Sequence, residues 1–536
     1  MGSHPYWSIE GIEEIHCDGY KVRVYKNRPP NLNEAFRRTI ERCPDREAIV
    51  SGEVRLTYTQ FEEKVDRLAS ALSERLGIQP GDRVSFLMGN HWRWPLTFMA
   101  ISRVGAISVP LNNRLQGPEL VFQLNNSQSR LLILDEAFLE RIEPLREEIK
   151  TAKTLVVNGA SNTANSFRFH ELETFSPRNP DVPRSEEDVA CILYTSGTTG
   201  LPKGAMLTHR NVISIAMSLV NMLQYEETDR MLFFIPLFHV TGLVGMYIPM
   251  ILKGGGNIIL TGFNRHEVPK VIEEEKITAT MGVPATFILM MDSPNYSKYS
   301  RATMRSILYG GAPSPPEMYD QLRSSLPEDC IVVDGYGLTE ASSNVTISPI
   351  KPDRSVLHRH GTIGIPNPLA DLRVVDDKGD DAAEGEVGEL LVRDPGVMKG
   401  YWGAPDKTAE AVREGWLYTG DLVTRDREGY ITIKGRKKHM INRGGENIYP
   451  VEIENVLYAH PGVLEAAVVG VPDRVMGEEV KVVIVPKEGV TLDENEIRGY
   501  LKPRLAGYKI PRFMSFAKEL PRNPGGKVMI KDLLEL

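Results

Sequence analysis

The segment Thr195–Gly204 combines residue types that suit the binding of phosphate oxygens. It contains four hydroxyl side chains, three glycines and Lys203 within ten residues, directly after the apolar run Val189–Leu193. Glycine lets backbone N–H groups approach a ligand closely, while hydroxyls and a lysine complete an anion-binding concavity. Pro202 and Gly204 around the lysine break the Walker A pattern. A polar surface loop is the simpler interpretation of such a segment alone. A phosphate-binding role is therefore favoured only if other segments of the chain supply matching ligand-binding residues.

Three later segments offer such partners. Tyr309–Pro313 ends a predicted strand with a glycine pair, which leaves a flat backbone slot for an aromatic ligand such as adenine. Asp334–Glu340 also ends a strand, where α/β sheets place their ligands; Glu340 suits Mg²⁺ or simply complements a helix dipole. Tyr418–Asp421 is predicted to precede a pair of strands. Asp421 there either accepts hydrogen bonds from ribose hydroxyls or is an ordinary turn residue.

The tail segment Pro521–Lys527 places Lys527 after two glycines. A single lysine in a tail is usually solvated surface. Taken with the segments above, however, Lys527 is a candidate for stabilising negative charge at a phosphate.

The elements that must position these residues follow an α/β pattern. Predicted strands such as Arg83–Met88 and Arg130–Leu134 alternate with amphipathic helices such as Phe61–Leu76, which indicates parallel sheets with helical crossovers. A second α/β stretch runs from about 211 to 336. Short strands separated by turn signals then predict a small β-barrel or sheet up to about Lys434, followed by a compact α+β unit.

Composition and charge narrow the class of protein. At 536 residues with a formal charge of −8, the chain is too long for one core and too acidic for nucleic acid as its main partner. Its four cysteines match no metal or redox spacing, and no signal peptide is visible, so we expect a cytoplasmic location. The uncharged run 231–252 has the length of a membrane span. Its prolines and glycines favour a buried strand followed by a buried helix instead.

Six ordered segments resemble the signature motifs of the adenylate-forming enzymes, a superfamily of acyl-CoA synthetases, luciferases and peptide-synthetase adenylation domains. They are Tyr194–Gly204, Phe234–Gly242, Gly335–Glu340, Tyr418–Asp421, Gly435–Glu454 and Pro521–Lys527. The match is collinear over about 30–530, and the stand-alone AMP-forming acyl-CoA synthetases are the most similar group. The resemblance implies an N-terminal domain over 1–435, containing two α/β subdomains and the small β-barrel. It also implies a mobile α+β C-terminal domain over 436–536.

The resemblance also implies a reaction and roles for individual residues. A carboxylic acid attacks the α-phosphate of Mg·ATP to give an acyl-adenylate and pyrophosphate, and coenzyme A then displaces AMP. Lys527, Thr339, Glu340 and His239 are expected to be catalytic, with Glu340 also the Mg²⁺ ligand. The expected nucleotide-binding residues, besides Thr339 and Lys527, are Thr195, Ser196, Gly197, Thr198, Thr199, Gly200, Lys203, Gly311, Ala312, Pro313, Asp334, Gly335, Tyr336, Gly337, Asp421 and Arg436.

The remaining expected sites are the acyl pocket and the coenzyme A site. The acyl pocket is expected at Phe238, His239, Val240, Gly282, Val283, Gly337 and Ser342. Lys438, Gly444, Gly445 and Glu446 are expected to meet coenzyme A after the small domain rotates about a hinge near Lys438 and His439. His439 departs from the aspartate more usual at that position in the family, which leaves the pivot residue open.

Several alternatives stay open from sequence alone. The acid is a fatty, alicyclic or aryl acid, with medium-chain acids slightly favoured, and the chain is a monomer or a homodimer that can touch a membrane surface only peripherally. An adenylation enzyme loading a carrier protein is disfavoured, since only nine residues follow Lys527. A luciferase-like oxygenase is disfavoured further. A non-catalytic nucleotide-binding or acyl-binding module is the alternative from another class.

Overall fold

The computed structural model describes residues 7, 10–17, 19–161, 163–178, 182–195, 201–312, 314–444, 446–522 and 528–536. The strands in chain order are β1 (Ile12–Cys17), β2 (Tyr20–Tyr25), β3 (Glu47–Ser51), β4 (Val54–Thr57), β5 (Arg83–Leu87), β6 (Ile107–Pro110), β7 (Leu131–Asp135), β8 (Thr154–Asn158), β9 (Ser166–Arg168), β10 (Val189–Thr195), β11 (Lys203–Thr208), β12 (Arg230–Phe233), β13 (Gly256–Ile259), β14 (Ala279–Gly282), β15 (Ser306–Gly310), β16 (Ile331–Tyr336), β17 (Thr346–Ile347), β18 (Ile365–Pro366), β19 (Asp371–Val375), β20 (Gly388–Arg393), β21 (Gly400–Tyr401), β22 (Val412–Arg413), β23 (Trp416–Arg425), β24 (Ile431–Arg436), β25 (Ile441–Arg443), β26 (Glu446–Ile448), β27 (Val463–Asp473), β28 (Gly477–Pro486) and β29 (Phe513–Phe516).

The α-helices are α1 (Leu32–Arg42), α2 (Tyr58–Ser70), α3 (Arg93–Arg103), α4 (Gly117–Ser127), α5 (Leu139–Ile142), α6 (Phe169–Leu172), α7 (His209–Met222), α8 (Ile248–Lys253), α9 (Val268–Glu274), α10 (Pro284–Met291), α11 (Pro316–Ser324), α12 (Pro405–Ala411), α13 (Pro450–Tyr458), α14 (Glu494–Leu501) and α15 (Ile530–Leu533). Helix α2 begins at a capping box, in which Thr57 and Gln60 satisfy each other's backbone N–H groups. π-Helical segments at Ala71–Arg75 and Thr241–Tyr247 adjoin α2 and α8.

Two large sheets form the body of the protein. The first has the order β21-β11-β10-β6-β5-β7-β8-β9, and the second β18-β17-β16-β15-β14-β12-β13-β3-β4. Their central strands pair in parallel, as in β5–β6 and β15–β16, whereas antiparallel pairs such as β10–β11 and β16–β17 lie towards the edges. The predicted α/β fold is confirmed.

A single apolar core joins the two sheets. Side chains from the first sheet, such as Phe86, and from the second, such as Phe233, belong to the same buried cluster. Trp94 of α3 and Tyr247, both almost fully buried, belong to the same cluster. Because both sheets share this core, loops at their adjoining edges are held in fixed relation to one another.

The rest of the chain forms two smaller sheets. Strands β19, β20, β22, β23 and β24 form an antiparallel sheet, which corresponds to the predicted small barrel or sheet. Strands β25–β29 form a further sheet with apolar clusters of its own, drawn from residues 441–533. The domain boundary near Gly435 stays a prediction.

Several local predictions can be compared with these elements. The run 231–252 forms β12 and a buried helical segment, as predicted, and among the described residues no helix is both long and apolar enough to cross a bilayer. The prediction that Tyr418–Asp421 precedes a strand pair is wrong. These residues lie inside β23, opposite a register shift in β20. Within the polar stretch 157–188 lie β9 and α6.

The first testable prediction concerns His209, which begins α7 and is 2% exposed. Its Nδ1 accepts a hydrogen bond from the backbone N–H of Leu32, and burial, helped by Arg184, lowers its pKa from 6.5 to about 4. Between these two pH values the unfolded chain binds a proton that the folded chain excludes. The free energy of unfolding therefore falls as pH falls through this window, by at most about 3 kcal/mol.

Chemical denaturation of the parent and of His209→Gln between pH 7.5 and 4 checks this prediction. Other buried groups titrate in both proteins, so the difference between the two curves isolates His209. As pH falls through this window, we expect the parent to lose more free energy of unfolding than His209→Gln does. Parallel curves would show that His209 is not the titrating group.

Candidate active site

The candidate phosphate loop connects two antiparallel strands. Thr195 ends β10, Lys203 begins β11, and the two residues pair directly in the register. Ser196, Gly197, Thr198, Thr199 and Gly200 lie outside the described residues. The segment thus closes a β-hairpin, whereas a Walker A loop opens a helix. Lys203 and Thr195 stand at the mouth of this hairpin, at the edge of the first sheet.

The second sheet contributes Tyr336 at the end of β16, where it meets the small antiparallel sheet. The Tyr336 hydroxyl donates to Asp421 Oδ2 at 2.5 Å, and Arg436 Nε lies 2.7 Å from Asp421 Oδ1. Burial and the neighbouring Asp421 carboxylate raise the pKa of the Tyr336 phenol well above its ordinary value, so it remains a donor. The Asp421 side chain is 5% exposed. Arg436 Nη2 also donates to Oδ2, at 3.4 Å. A carboxylate offers about four acceptor positions, so Asp421 can still accept from a ligand, chiefly at Oδ1.

Glu340 lies in the turn Thr339–Ala341 that follows β16. Its Oε1 accepts a hydrogen bond from the Tyr401 hydroxyl at 2.9 Å, and its backbone carbonyl accepts one from Met398 N–H at 2.8 Å. Lys203 Nζ lies 4.4 Å from the centroid of the Tyr401 ring. The predicted metal carboxylate and the predicted phosphate lysine therefore meet around one tyrosine.

The glycine pair at the end of β15 has a packing reason. A Cβ on Gly310 would lie 2.0 Å from the carbonyl oxygen of Gly335, so the strands β15 and β16 could not approach as they do. Gly311 has a φ of +78°, a left-handed conformation that favours glycine. Ala312 follows it, and Pro313 lies outside the described residues. Burial raises the pKa of Asp334, on the neighbouring strand, well above its ordinary value.

Gly337 has a similar packing role. A Cβ there would lie 1.2 Å from the carbonyl oxygen of Ser343. The segment opposite is itself unusual, because Ser342 and Ser343 have φ values of 55° and 97°. Non-glycine residues in this region are strained, and such strain is found disproportionately at functional sites.

We therefore expect Gly337→Ala to lower the free energy of unfolding by more than about 2 kcal/mol and to abolish most activity, since the backbone must shift. Gly499→Ala, at an open position in α14, is the matched control and is expected to add up to about 1 kcal/mol of stability. Thermal and chemical unfolding of both variants checks this. Two variants of equal stability would contradict it.

The predicted acyl-pocket residues differ in how much surface they present. Phe238 is half-buried, His239 is exposed with Nδ1 3.2 Å from Thr241 Oγ1, and Val283 is 41% exposed. Val240, in contrast, packs in the main core, and the buried Ser342 hydroxyl donates to the carbonyl of Gly396 at 2.7 Å. Gly282 faces Thr286 and Phe287. Val240 and Ser342 thus offer little surface to a ligand. The candidate acyl surface that remains consists of Phe238, His239, Gly282, Val283 and Gly337.

The region of the predicted hinge carries a cluster of cations. A cleft of about 300 Å³ is lined by Thr419, Gly420, Arg436, Lys437 and Lys438. Lys437 Nζ lies 3.3 Å from Glu389 and 3.2 Å from Asp377. Among the expected coenzyme A residues, Lys438 and Glu446 are exposed, and Gly444 donates its N–H to the carbonyl of Met476. Gly445 and the expected catalytic Lys527 lie outside the described residues.

Sequence reasoning missed three residues that the fold brings to the site. Tyr401 contacts Glu340 and Lys203. Glu389 links Lys437, which precedes the predicted hinge, to the N–H of Gly420. Asn90 donates to the carbonyl of Ile235 and accepts from Leu237 N–H, which holds the loop before Phe238 and His239. None of the three carries a local sequence signal, because their partners lie far away in the chain.

The described residues contain no group of three or more His, Cys, Asp or Glu side chains able to cage a metal. A single carboxylate such as Glu340 nevertheless fits Mg²⁺ delivered with a triphosphate, because Mg²⁺ usually keeps several waters and takes one or two carboxylates. Thr339, in the same turn, supplies a hydroxyl beside it.

Comparison with known proteins gives a consistent result. The family model described as AMP-binding enzyme matches residues 36–402, and the model described as AMP-binding enzyme C-terminal domain matches 452–527. A feruloyl-CoA synthase from Amycolatopsis sp is 37% identical over 487 residues, covering 91% of this chain and 95% of that protein. A long-chain-fatty-acid–CoA ligase from Escherichia coli O157:H7 is 32% identical, covering 96% and 95%. The crystal structure of the anthranilate CoA ligase AuaEII with anthranoyl-AMP superposes with a TM-score of 0.86 at 27% identity, covering 95% and 97% of the two chains.

Proposed function

The chain belongs to the AMP-binding enzyme family, and from this premise we propose that its substrate is a fatty, alicyclic or aryl carboxylic acid with an apolar tail. It is an AMP-forming acid–thiol ligase that uses ATP, Mg²⁺ and coenzyme A. The proposed substrate class rests on one observation, the apolar surface next to the glycine pair Gly310 and Gly311. A Cβ on Gly311 would lie 3.9 Å from Val283 Cγ1, and Val283 is among the exposed large apolar residues.

This position suits a reaction between an acyl group and a nucleotide. Gly311 belongs to the proposed adenine slot, so an acid lying along Val283 and Phe238 has its carboxylate directed towards the phosphates. The described part of this acyl surface has no carboxylate or guanidinium. Burying a second charge of the acid there without a partner would be costly, and we therefore propose that dicarboxylic acids are poor substrates.

The first half-reaction is formation of the acyl-adenylate. A carboxylate oxygen of the acid attacks the α-phosphorus, and the bond from that phosphorus to the bridging oxygen of pyrophosphate breaks. We propose that Thr195, Lys203 and the loop between them hold the leaving phosphates, that Thr339 and Lys527 contact the α-phosphate, and that Glu340 takes the Mg²⁺. Fixed cations and hydroxyls of this kind stabilise charge without reorganising during the reaction.

The ribose is proposed to bind at Asp421. The two ribose hydroxyls donate to the Asp421 carboxylate, which Tyr336 and Arg436 already hold in place, so the nucleotide meets a pre-formed acceptor. A site held by neighbouring groups before binding loses less conformational entropy when its ligand arrives.

In the second half-reaction the thiol of coenzyme A attacks the acyl carbonyl, and AMP leaves. We propose that the unit after Arg436 rotates between the two steps and brings Gly444, Gly445 and Glu446 towards the thiol. His239 is proposed to orient the acyl group. The ion pairs of Lys437 with Glu389 and Asp377 lie next to the predicted hinge at Lys438 and His439, and they support a pivot close to the proposed ribose site.

A panel of acids in an assay that follows AMP, pyrophosphate and acyl-CoA together tests this proposal. We expect equimolar AMP and acyl-CoA with medium-chain fatty acids and with aryl acids such as ferulate, and little product with dicarboxylic acids of the same length. Pyrophosphate exchange without transfer to coenzyme A would favour a carrier-loading enzyme. Binding of ATP without exchange for any acid would favour a non-catalytic module.

A further inference from the structure

Tyr401 contacts two side chains of opposite charge that are expected around the phosphates, Glu340 and Lys203. Its hydroxyl donates to Glu340 Oε1 at 2.9 Å, and Lys203 Nζ lies 4.4 Å from the centre of its ring. The residue is 6% exposed. It lies in none of the six motifs by which the chain resembles the adenylate-forming enzymes.

The backbone around Tyr401 is tightly held. Tyr401 pairs with Ala205 in β11, its N–H donates to Thr408 Oγ1 at 2.9 Å, and the next residue, Trp402, donates its N–H to the carbonyl of Gly204 at 2.8 Å. Gly204 directly follows Lys203. The ring is therefore fixed relative to the hairpin that carries the phosphate loop.

The same segment also fixes the turn that carries Glu340. Met398 N–H donates to the carbonyl of Glu340 at 2.8 Å, three residues before Tyr401. The segment 398–402 thus spans from the first sheet to the loop after β16 in the second sheet. Tyr401 lies where these two sheets contact each other at the site.

The chemistry of the phenol determines what it can do there. The hydroxyl donates to the carboxylate, because an ionised carboxylate can only accept hydrogen bonds. That hydrogen bond takes one of the two acceptor positions of Oε1. None of the described residues donates a hydrogen bond to Oε2, so this oxygen is the more open of the two to a cation.

The ring has a second effect, on the lysine. An ammonium over an aromatic face is attracted by the ring quadrupole without being neutralised. A direct ion pair between Lys203 and Glu340 would occupy both groups with each other, whereas an ammonium over the ring keeps its charge for the phosphates.

We propose that Tyr401 is a positioning residue that turns one oxygen of Glu340 towards the Mg²⁺ of Mg·ATP and holds Lys203 apart from that carboxylate. This inference rests on the proposed function of the site, and it extends that function to a residue outside the motifs. Tyr401 acts through Glu340 and Lys203 and contacts no reacting atom itself.

Binding of a fluorescent ATP analogue, measured with Mg²⁺ and with EDTA, tests the proposal without any turnover. Tyr401→Phe keeps the ring and removes the hydroxyl. We expect Mg²⁺ to strengthen binding in the parent, and this Mg²⁺-dependent gain to fall about tenfold in Tyr401→Phe, because a hydrogen bond to a charged group is lost. Affinity in EDTA should change less than about twofold, since Lys203 keeps its place over the ring.

Two further variants separate positioning from folding. Tyr296→Phe removes another buried phenol hydrogen bond, to Ser325, and is expected to leave the Mg²⁺-dependent gain unchanged. Glu340→Gln is expected to lose the gain by itself, and adding Tyr401→Phe to it should cause no further loss. This non-additivity is the signature of one residue acting through the other.

The outcomes that overturn the proposal are distinct. An unchanged Mg²⁺-dependent gain in Tyr401→Phe, or an equal loss of affinity with and without Mg²⁺, would show that the hydroxyl has only a structural role. Independent, additive losses in the double variant would also overturn it. Because the assay needs no acid, failure of every acid in the turnover panel would reject the proposed substrate class and leave the result on Tyr401 standing.

Discussion

Replacing Lys527 with alanine is expected to slow formation of the acyl-adenylate by about a hundredfold to a thousandfold. The attacking carboxylate and the triphosphate are both anions, so bringing them together requires a cation at the point of attack. The predicted motif supplies one, Lys527, directly after two glycines and in the unit that we propose rotates between the half-reactions. Pyrophosphate exchange with a good acid measures this step directly.

The same variant should retain the second half-reaction. When purified acyl-adenylate is supplied, Lys527→Ala is expected to form acyl-CoA within about threefold of the parent rate, since Lys527 is proposed to leave before the thiol arrives. Lys531→Ala, an exposed lysine in α15, is the matched control and should affect neither step. Equal losses in both half-reactions would refute the assigned role.

The second large effect is expected at Asp421. In Asp421→Asn one carboxylate oxygen becomes an NH₂ group, which faces a donor whether it points to Tyr336 or to Arg436. We expect the Kd for ATP to rise about tenfold to a hundredfold. We also expect the free energy of unfolding to fall by about 1–3 kcal/mol. This loss is smaller than that for a fully buried ion pair, because the Arg436 side chain is 38% exposed.

Glu384→Gln provides the comparison for this variant. Glu384 pairs with Arg427 between two turns that connect strands of the same small antiparallel sheet. Both side chains are mostly exposed, so the loss should stay below about 1 kcal/mol with ATP binding unchanged. Calorimetric titration with ATP and denaturant unfolding measure the two effects. If the asparagine variant binds ATP like the parent, the ribose lies elsewhere.

The α/β fold could be predicted because its signals are local. The apolar run at β5 and the helical spacing of α2 each lie within a few residues, and the structure has both elements close to their predicted bounds. The prediction around Asp421 was wrong because it placed Tyr418–Asp421 before a pair of strands. In the structure Gly420, with a φ of +72°, lies within β23 where the opposing strand shifts register, so a glycine signal marked an irregularity inside one strand.

The roles of individual side chains were harder to predict than the site. Gly310 and Gly337 were expected to matter for ligand approach, yet each is required by the backbone packed against it. Tyr401 and Asn90 had no signal at all. Their partners are distant in sequence, and only the pairing of β21 with β11 and the packing of the two sheets bring them to the site.

The most direct test of the account follows an oxygen atom. With an acid labelled with ¹⁸O in its carboxylate, together with Mg·ATP and coenzyme A, attack on the α-phosphorus leaves one acid oxygen on the phosphate when the thiol displaces AMP. We predict one ¹⁸O in each AMP released and none in pyrophosphate. Label in orthophosphate together with formation of ADP would contradict the account, because it would mean that the acid attacks the terminal phosphate.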